Sequence, residues 1–271
     1  MATRLFEEKE HVYYYQKYRF SPPKKIQDMI FSYVHHKLDE PYELAVDVGC
    51  GTGQNTKILA SHFEKVLGVD ISQAQIEEAK IAVNLPNTTF RVSPAEEVSV
   101  DNATVDLLAA HAAVHWFDIG KFMKEMHRIL KPGGCIALFC YYLPTEIYYK
   151  DRSEQMSKVI SEIDNHLSKY QHEKMNLVRT GYKDIFEAIP YTNKLRRDDI
   201  LTNIRMTLAD LMGFVHSLSL FQIYRSFDPE KAMDFMKTTE ERFLEIMEAP
   251  SSETEFDVCF KYVLLLASKP K

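Results

Sequence analysis

A hydrophobic run that stops on three alternating glycines, Glu43-Leu-Ala-Val-Asp47-Val-Gly49-Cys50-Gly51-Thr52-Gly53-Gln54, constrains this chain more than any other feature in it. A short apolar strand that runs into glycines and then into a helical pattern makes the turn of a β-α unit. Glycine there permits the tight turn and lets a ligand lie against bare backbone at the carboxyl edge of a sheet. The next apolar strand ends in Gly68-Val69-Asp70, and Asp70 follows Gly49 by 21 residues (70 − 49). That is close to the ~20-residue spacing of an acid that accepts hydrogen bonds from ribose hydroxyls. A ligand carrying an adenosine fits this order of strand, glycine turn, helix, strand and acid. Asp70 could alternatively be a plain helix N-cap, but Ser72 is better placed for that role.

The rest of the pattern agrees. Apolar runs at Leu44 to Val48, Val66 to Val69 and Val105 to Ala109 alternate with amphipathic stretches at 54–63, 73–83 and 119–130. Short buried strands separated by helices predict a parallel α/β sheet. Further strands are expected at Thr89 to Val92 and, after the turn Lys131-Pro132-Gly133-Gly134, at Cys135 to Tyr141. Beyond Pro144 the spacing becomes helical, at 153–170, 208–224 and 229–248, with one extended segment at 189–195. A last apolar run, 258–267, reads as a strand returning to the sheet. The expected organisation is therefore an N-terminal helical cap (1–38), a nucleotide-binding core (39–143), a mostly helical lid insertion (144–255) and the returning strand (256–271).

Composition narrows the function. A formal charge of -6 argues against nucleic acid as partner, because phosphate recognition brings a basic surface. No run approaches the ~20 apolar residues of a membrane span. The charged start, with Arg4, Glu7, Glu8, Lys9 and Glu10, reads as neither signal nor transit peptide. A cytoplasmic location is the resulting expectation. The four cysteines, Cys50, Cys135, Cys140 and Cys259, lack any C-x-x-C pair or metal-spaced histidines, so neither a disulfide framework nor a metal site is expected.

The glycines at 49, 51 and 53 lie in a register unlike the dinucleotide fingerprint G-x-G-x-x-G. They resemble motif I of the class I S-adenosylmethionine-dependent methyltransferases. Asp47 strengthens the match, and the resemblance continues through Asp70, Ser93-Pro94-Ala95-Glu96-Glu97, Val105-Asp106-Leu107-Leu108 and Leu130 to Gly134. It implies a Rossmann-like three-layer sandwich, with a mostly parallel seven-stranded sheet, an antiparallel last strand and a helical lid. It also implies S-adenosylmethionine as cofactor, S-adenosylhomocysteine as product and no metal. Carried over position by position, it puts Gly49, Gly51 and Gly53 at the methionine part of the cofactor, with Asp47 and Cys50 in the same cofactor-binding turn. Asp70 would hold the ribose, Ile71, Ala95 and Glu96 would border the adenine, and His111 and Ala112 would begin the cofactor-side loop. Pro94 stands where many relatives carry aspartate, so Glu96 or a backbone carbonyl would take the adenine amino group. Cys50, between two glycines, reads as a residue chosen for size.

Three segments are similar to the trans-aconitate methyltransferase-like small-molecule group: Val114-His115-Trp116-Phe117 after the fourth strand, Tyr15 to Pro22 ahead of the core, and Gly213 to Ser219 in the insertion, which lacks the group's usual tryptophan. This likeness implies a small-molecule acceptor touched by Tyr18, Arg19, His115, Trp116, Tyr141 and Ser219. A carboxylate acceptor is already nucleophilic; Tyr18 and Arg19 would orient it, and His115 would position it. A phenol, amine or thiol would need His115 as general base. His115 and Trp116 could equally be wall and core residues, and a cofactor-binding protein without turnover is a further reading. The absence of an Asp/Asn-Pro-Pro-aromatic motif at 113–116 argues against amino-group methylation of nucleic acid. The glycine register and the lack of a Tyr-x-x-x-Lys pair argue against a nicotinamide oxidoreductase. Oligomeric state is not legible.

Overall fold

The computed structural model describes residues 6–143 and 146–271; Met1 to Leu5 of the expected N-terminal cap, and Pro144 and Thr145, lie outside the described residues. In chain order the elements are α1 (Lys9–Tyr18), α2 (Lys24–Lys37), β1 (Leu44–Val48), α3 (Gln54–Leu59), β2 (Lys65–Asp70), α4 (Gln73–Ala82), β3 (Thr88–Val92) and β4 (Val105–His111). A 3-10 turn, Val114–Trp116, leads into α5 (Ile119–Ile129), β5 (Leu130–Tyr141) and β6 (Glu146–Tyr148), and a second, Ser168–Tyr170, follows the next helix. Then come α6 (Ser153–Leu167), α7 (Met175–Arg179), α8 (Lys183–Ala188), β7 (Lys194–Thr207), α9 (Leu208–His216), α10 (Ser219–Phe227), α11 (Pro229–Met247) and β8 (Glu255–Ser268).

The strands form one sheet in the order β3-β2-β1-β4-β5-β8-β6, with β7 pairing β8. Pairs β1–β2, β1–β4, β2–β3 and β4–β5 are parallel, while β8 runs antiparallel to β5, β6 and β7. Period-two alternation sends Ala45, Val66 and Leu107 into a core shared with α2 and the helices of the insertion. Val46, Leu67 and Leu108 face a second core with α5 and α8. Helices on both faces of a mostly parallel sheet make the three-layer Rossmann-like sandwich.

The sheet has eight strands, where seven are expected from the sequence. The extra pairing comes from the insertion, which is less helical than its spacing predicts. The segment expected to be extended at 189–195 is instead the 14-residue β7 at Lys194–Thr207. Four successive charges, Arg196-Arg197-Asp198-Asp199, break its alternation where its register against β8 shifts, between Arg197 and Ile200. The single helix expected at 208–224 is two, divided at Ser217 and Leu218. No described helix is long and apolar enough to cross a membrane.

Candidate active site

A cavity of about 820 Å³ opens where β1, β2, β3, β4 and β5 present their carboxyl ends, and α1, the α6–α8 segment and the start of α10 close over it. At the glycine turn, Gly49 has φ +66°, and a Cβ there would stand 2.4 Å from the Cβ of Ala113. Gly51, at φ +55°, lies under the Tyr15 ring, 3.3 Å from where its Cβ would be. Side chains are excluded from both positions, by backbone conformation and by close approach of the β4 loop and α1. That β4 loop is itself held by Ala112, a non-glycine residue at φ 52° whose amide donates to Phe139 O (2.8 Å).

Asp70, at the end of β2, accepts hydrogen bonds from the Gly51 amide (3.0 Å) and the Ser72 amide (2.9 Å), one on each oxygen. Burial raises its carboxyl above the usual range, and the amides of Ser72 and Gly51 oppose that shift. Among the described residues it has no cationic partner, and each oxygen keeps a lone pair for a further donor. Ser72 caps α4, accepting from Gln75 N. A bare glycine backbone beside a carboxylate with unused acceptor capacity fits the adenosine-bearing cofactor that the sequence implies. Ile71, Ala95 and Glu96 line the same end of the cavity. Glu96 already accepts from the Asp118 amide (2.6 Å), which ties the loop after β3 to the start of α5.

Five residues expected at ligand do not line the cavity. Asp47 is fully buried and braces β1 to α3, accepting from Asn55 Nδ2 (2.7 Å) and Thr56 Oγ1 (2.6 Å). Burial lifts its carboxyl to about 6 against those bonds. Cys50 is buried beside Gly68, where a Cβ would meet its Sγ at 3.1 Å, as its small size suggests. Gly53 packs outward, its absent Cβ 2.8 Å from Val83. The His111 ring lies against Phe139 at 4.7 Å, and burial lowers its pKa to about 3. Tyr18 covers Gly213, a Cβ of which would fall 2.4 Å from its ring, and stacks on Tyr14. The other expected residues (Gly49, Gly51, Asp70, Ile71, Ala95, Glu96, Ala112, Arg19, His115, Trp116, Tyr141 and Ser219) line it.

Arg19 joins the two parts of the site. Its Nε donates to Ser217 Oγ (2.8 Å), its Nη2 to Ser217 O (3.1 Å) and its Nη1 to the Tyr141 hydroxyl. The guanidinium also lies 5.0 Å from the Tyr15 and Phe214 ring centres. It makes no ion pair among the described residues, so a cation at the cavity wall stands without a counter-charge. His115 is buried, with Nδ1 2.8 Å from the Tyr182 hydroxyl, and burial, seconded by nearby Lys174, lowers its pKa to about 3.

Further along the cavity the wall is charged. Arg179 pairs with Asp164 (2.9 Å) and Arg196 with Asp198 (2.6 Å), while Lys183 and Lys261 make no ion pair among the described residues. Sequence reading missed this wall, together with Tyr182. Charges in amphipathic helices and in an edge strand carry no local sign that they face a cavity. Among the described residues no group of three His, Cys, Asp or Glu side chains is placed to hold a metal ion.

Comparison with known proteins agrees with this geometry. Residues 46–138 match the family described as a methyltransferase domain. The chain carries a methyltransferase domain, and the relatives it resembles are named methyltransferases. It is 28% identical to a candidate methyltransferase of Dictyostelium discoideum over 89% of this chain and 88% of that one. A trans-aconitate 2-methyltransferase of Deinococcus radiodurans is 35% identical over 44% of this chain and 43% of its own length. In fold, the chain matches a candidate type II methyltransferase from Anaeromyxobacter dehalogenans, with a TM-score of 0.71 at 23% identity, covering 93% of this chain and 99% of that one.

Proposed function

We propose that this enzyme O-methylates a small-molecule carboxylate bound beneath the insertion. The observation that carries the reading is the charge of the cavity wall away from Asp70: four cations, Arg179, Lys183, Arg196 and Lys261, face two acids, Asp164 and Asp198. Such a wall attracts an anion and disfavours a cationic amine. Arg19, half-buried and without an ion pair among the described residues, supplies a further place for a carboxylate through charge-assisted hydrogen bonds.

His115 supports the same reading. A histidine held near 3 is neutral at pH 7 and a weak proton acceptor, poorly matched to removing a proton from a phenol or an amine. A carboxylate needs no such step. The bound cofactor supplies an electrophilic methyl on a sulfonium. The chain's part is alignment: Asp70 and the glycine turn fix the donor, and Arg19 and the cationic wall fix the acceptor. The helices over the cavity exclude water. The name of the Deinococcus relative makes trans-aconitate the first acceptor to try.

The test is a screen with methyl-labelled S-adenosylmethionine against di- and tricarboxylic acids, phenols, amines and thiols. The expected product is a carboxylic ester, whose label alkali releases as methanol. Transfer to amines, thiols or phenols with none to carboxylates would overturn the reading.

A further inference from the structure

The insertion reaches down to the loop after β4 through Lys174, whose Nζ donates to Trp116 O, and through Tyr182. Tyr182 is fully buried, and its hydroxyl lies 2.8 Å from His115 Nδ1. It gets there through an uncommon backbone: φ 54° and ψ 27° at the N-cap of α8, directly after Gly181 at φ +63°. Two successive left-handed residues, the second a tyrosine, are a costly way to end α7. The turn is locked from outside. Arg196 Nε donates to Gly181 O (2.7 Å), the Tyr182 amide donates to Leu177 O (2.9 Å), and a Cβ on Gly181 would strike the Tyr142 hydroxyl at 2.5 Å.

We propose that Tyr182 is a positioning residue that holds His115 in the tautomer protonated on Nε2, so that His115 offers the acceptor a hydrogen-bond donor and not a base. The inference rests on the reading that the acceptor lies against His115. Tyr182 has one hydroxyl proton and two neighbours able to take it, His115 Nδ1 and Cys140 Sγ. The Cys140 thiol proton is directed to Tyr141 O (3.3 Å), which leaves its sulfur as a weak acceptor. Imidazole nitrogen is much the stronger acceptor, so the tyrosine proton goes to Nδ1. The ring proton then sits on Nε2, the nitrogen left to face a ligand in the cavity that His115 lines. An N–H there stabilises the anionic oxygens of a carboxylate and holds one in line. The carboxylate donates no proton in return, and none is transferred.

The experiment is nitrogen-15 NMR of histidine-labelled protein saturated with S-adenosylhomocysteine, with His115 assigned by its loss in His115→Gln. The expected result is an Nε2–H tautomer in the wild type and a mixture of tautomers in Tyr182→Phe. With trans-aconitate as probe, the same variant should lose roughly tenfold to a hundredfold in kcat/KM, the usual effect of removing a partner that orients a functional histidine. An Nδ1–H tautomer in the wild type, or an unchanged tautomer in Tyr182→Phe, would overturn the proposal. The wild-type spectrum decides it even if the variant does not fold. If trans-aconitate is not methylated, the tautomer still reports on Tyr182, so failure of the carboxylate reading shows separately.

Discussion

Replacing Arg19 with methionine separates ligand binding from folding, because the structure fixes what each would lose. In the folded protein the guanidinium serves three acceptor atoms. Ser217 O keeps His11 Nε2 (2.9 Å) when Arg19 is gone, and Ser217 Oγ keeps its own donation to Phe214 O (2.7 Å). Only the Tyr141 hydroxyl is stripped of its arginine partner, at about 1–3 kcal/mol for a buried orphaned group. Against this, methionine removes a half-buried cation that has no acid beside it, whose desolvation penalty is below the several kcal/mol of a fully buried ion, and it keeps much of the packing on Tyr15 and Phe214. The two terms oppose, so stability of the ligand-free protein should change by no more than about 2 kcal/mol in either direction. Ligand binding has no such offset. Loss of a charge-assisted bond costs about 1.5–3 kcal/mol, or roughly 10- to 150-fold in affinity. Urea unfolding gives the first quantity, and calorimetric titration of S-adenosylhomocysteine and of trans-aconitate gives the second. A loss confined to the first titrant assigns the guanidinium to the cofactor's carboxylate, and one confined to the second assigns it to the acceptor. A variant destabilised by more than about 3 kcal/mol that binds both ligands normally would refute the reasoning, and Arg19 would then be a structural residue.

Other consequences follow from single contacts. Gly49→Ala places a methyl 2.4 Å from Ala113 at φ +66°, and should cost more than about 2 kcal/mol in unfolding and abolish measurable cofactor binding; normal binding would show that the turn is not the ligand's seat. Lys183→Glu combined with Lys261→Glu reverses the two unpaired cations of the wall and should raise KM for a carboxylate acceptor about tenfold or more with little effect on S-adenosylhomocysteine affinity; an unchanged KM would remove the wall from the account. Stability should fall steeply as pH drops from 7 to 5. His11 and His216 are lowered to about 4, and His111 and His115 to about 3, all first by burial, so below 6.5 the unfolded chain takes up protons that the folded one refuses. Each contributes roughly 1–2 kcal/mol over that range. Asp47, raised to about 6, works the other way between 6 and 3.8 because its folded form protonates first, and offsets only part of the loss. Thermal melts from pH 7.5 to 5 check this, and a flat profile would show that these histidines are hydrated.

The parts legible in the sequence are those where one local pattern settles both structure and position. The strand, glycine turn and Asp70 were readable because sheet edge, turn and acid follow one another within a few tens of residues. Asp47 and Gly53 belong to the same motif yet act on α3 and on the Val83 side, because a motif fixes spacing but not which side of the turn a side chain faces. The strand β7 was misread because the charges that interrupt its alternation belong to a register shift beside β8, a partner some sixty residues away. Tyr182 was out of reach for a similar reason. Gly181 signals the end of a helix, but nothing nearby announces that the next residue turns left-handed and meets a histidine 67 residues earlier in the chain.

Calorimetric titration of S-adenosylhomocysteine into the wild-type protein and into Asp70→Ala, with melts to confirm that both are folded, tests most directly that this cavity is where the cofactor lies. Saturable binding weakened at least tenfold by the substitution, about 1.4 kcal/mol, is the predicted result. Equal affinity in the two proteins, or no binding by the folded wild type, would contradict the placement of the cofactor at Asp70 and the glycine turn.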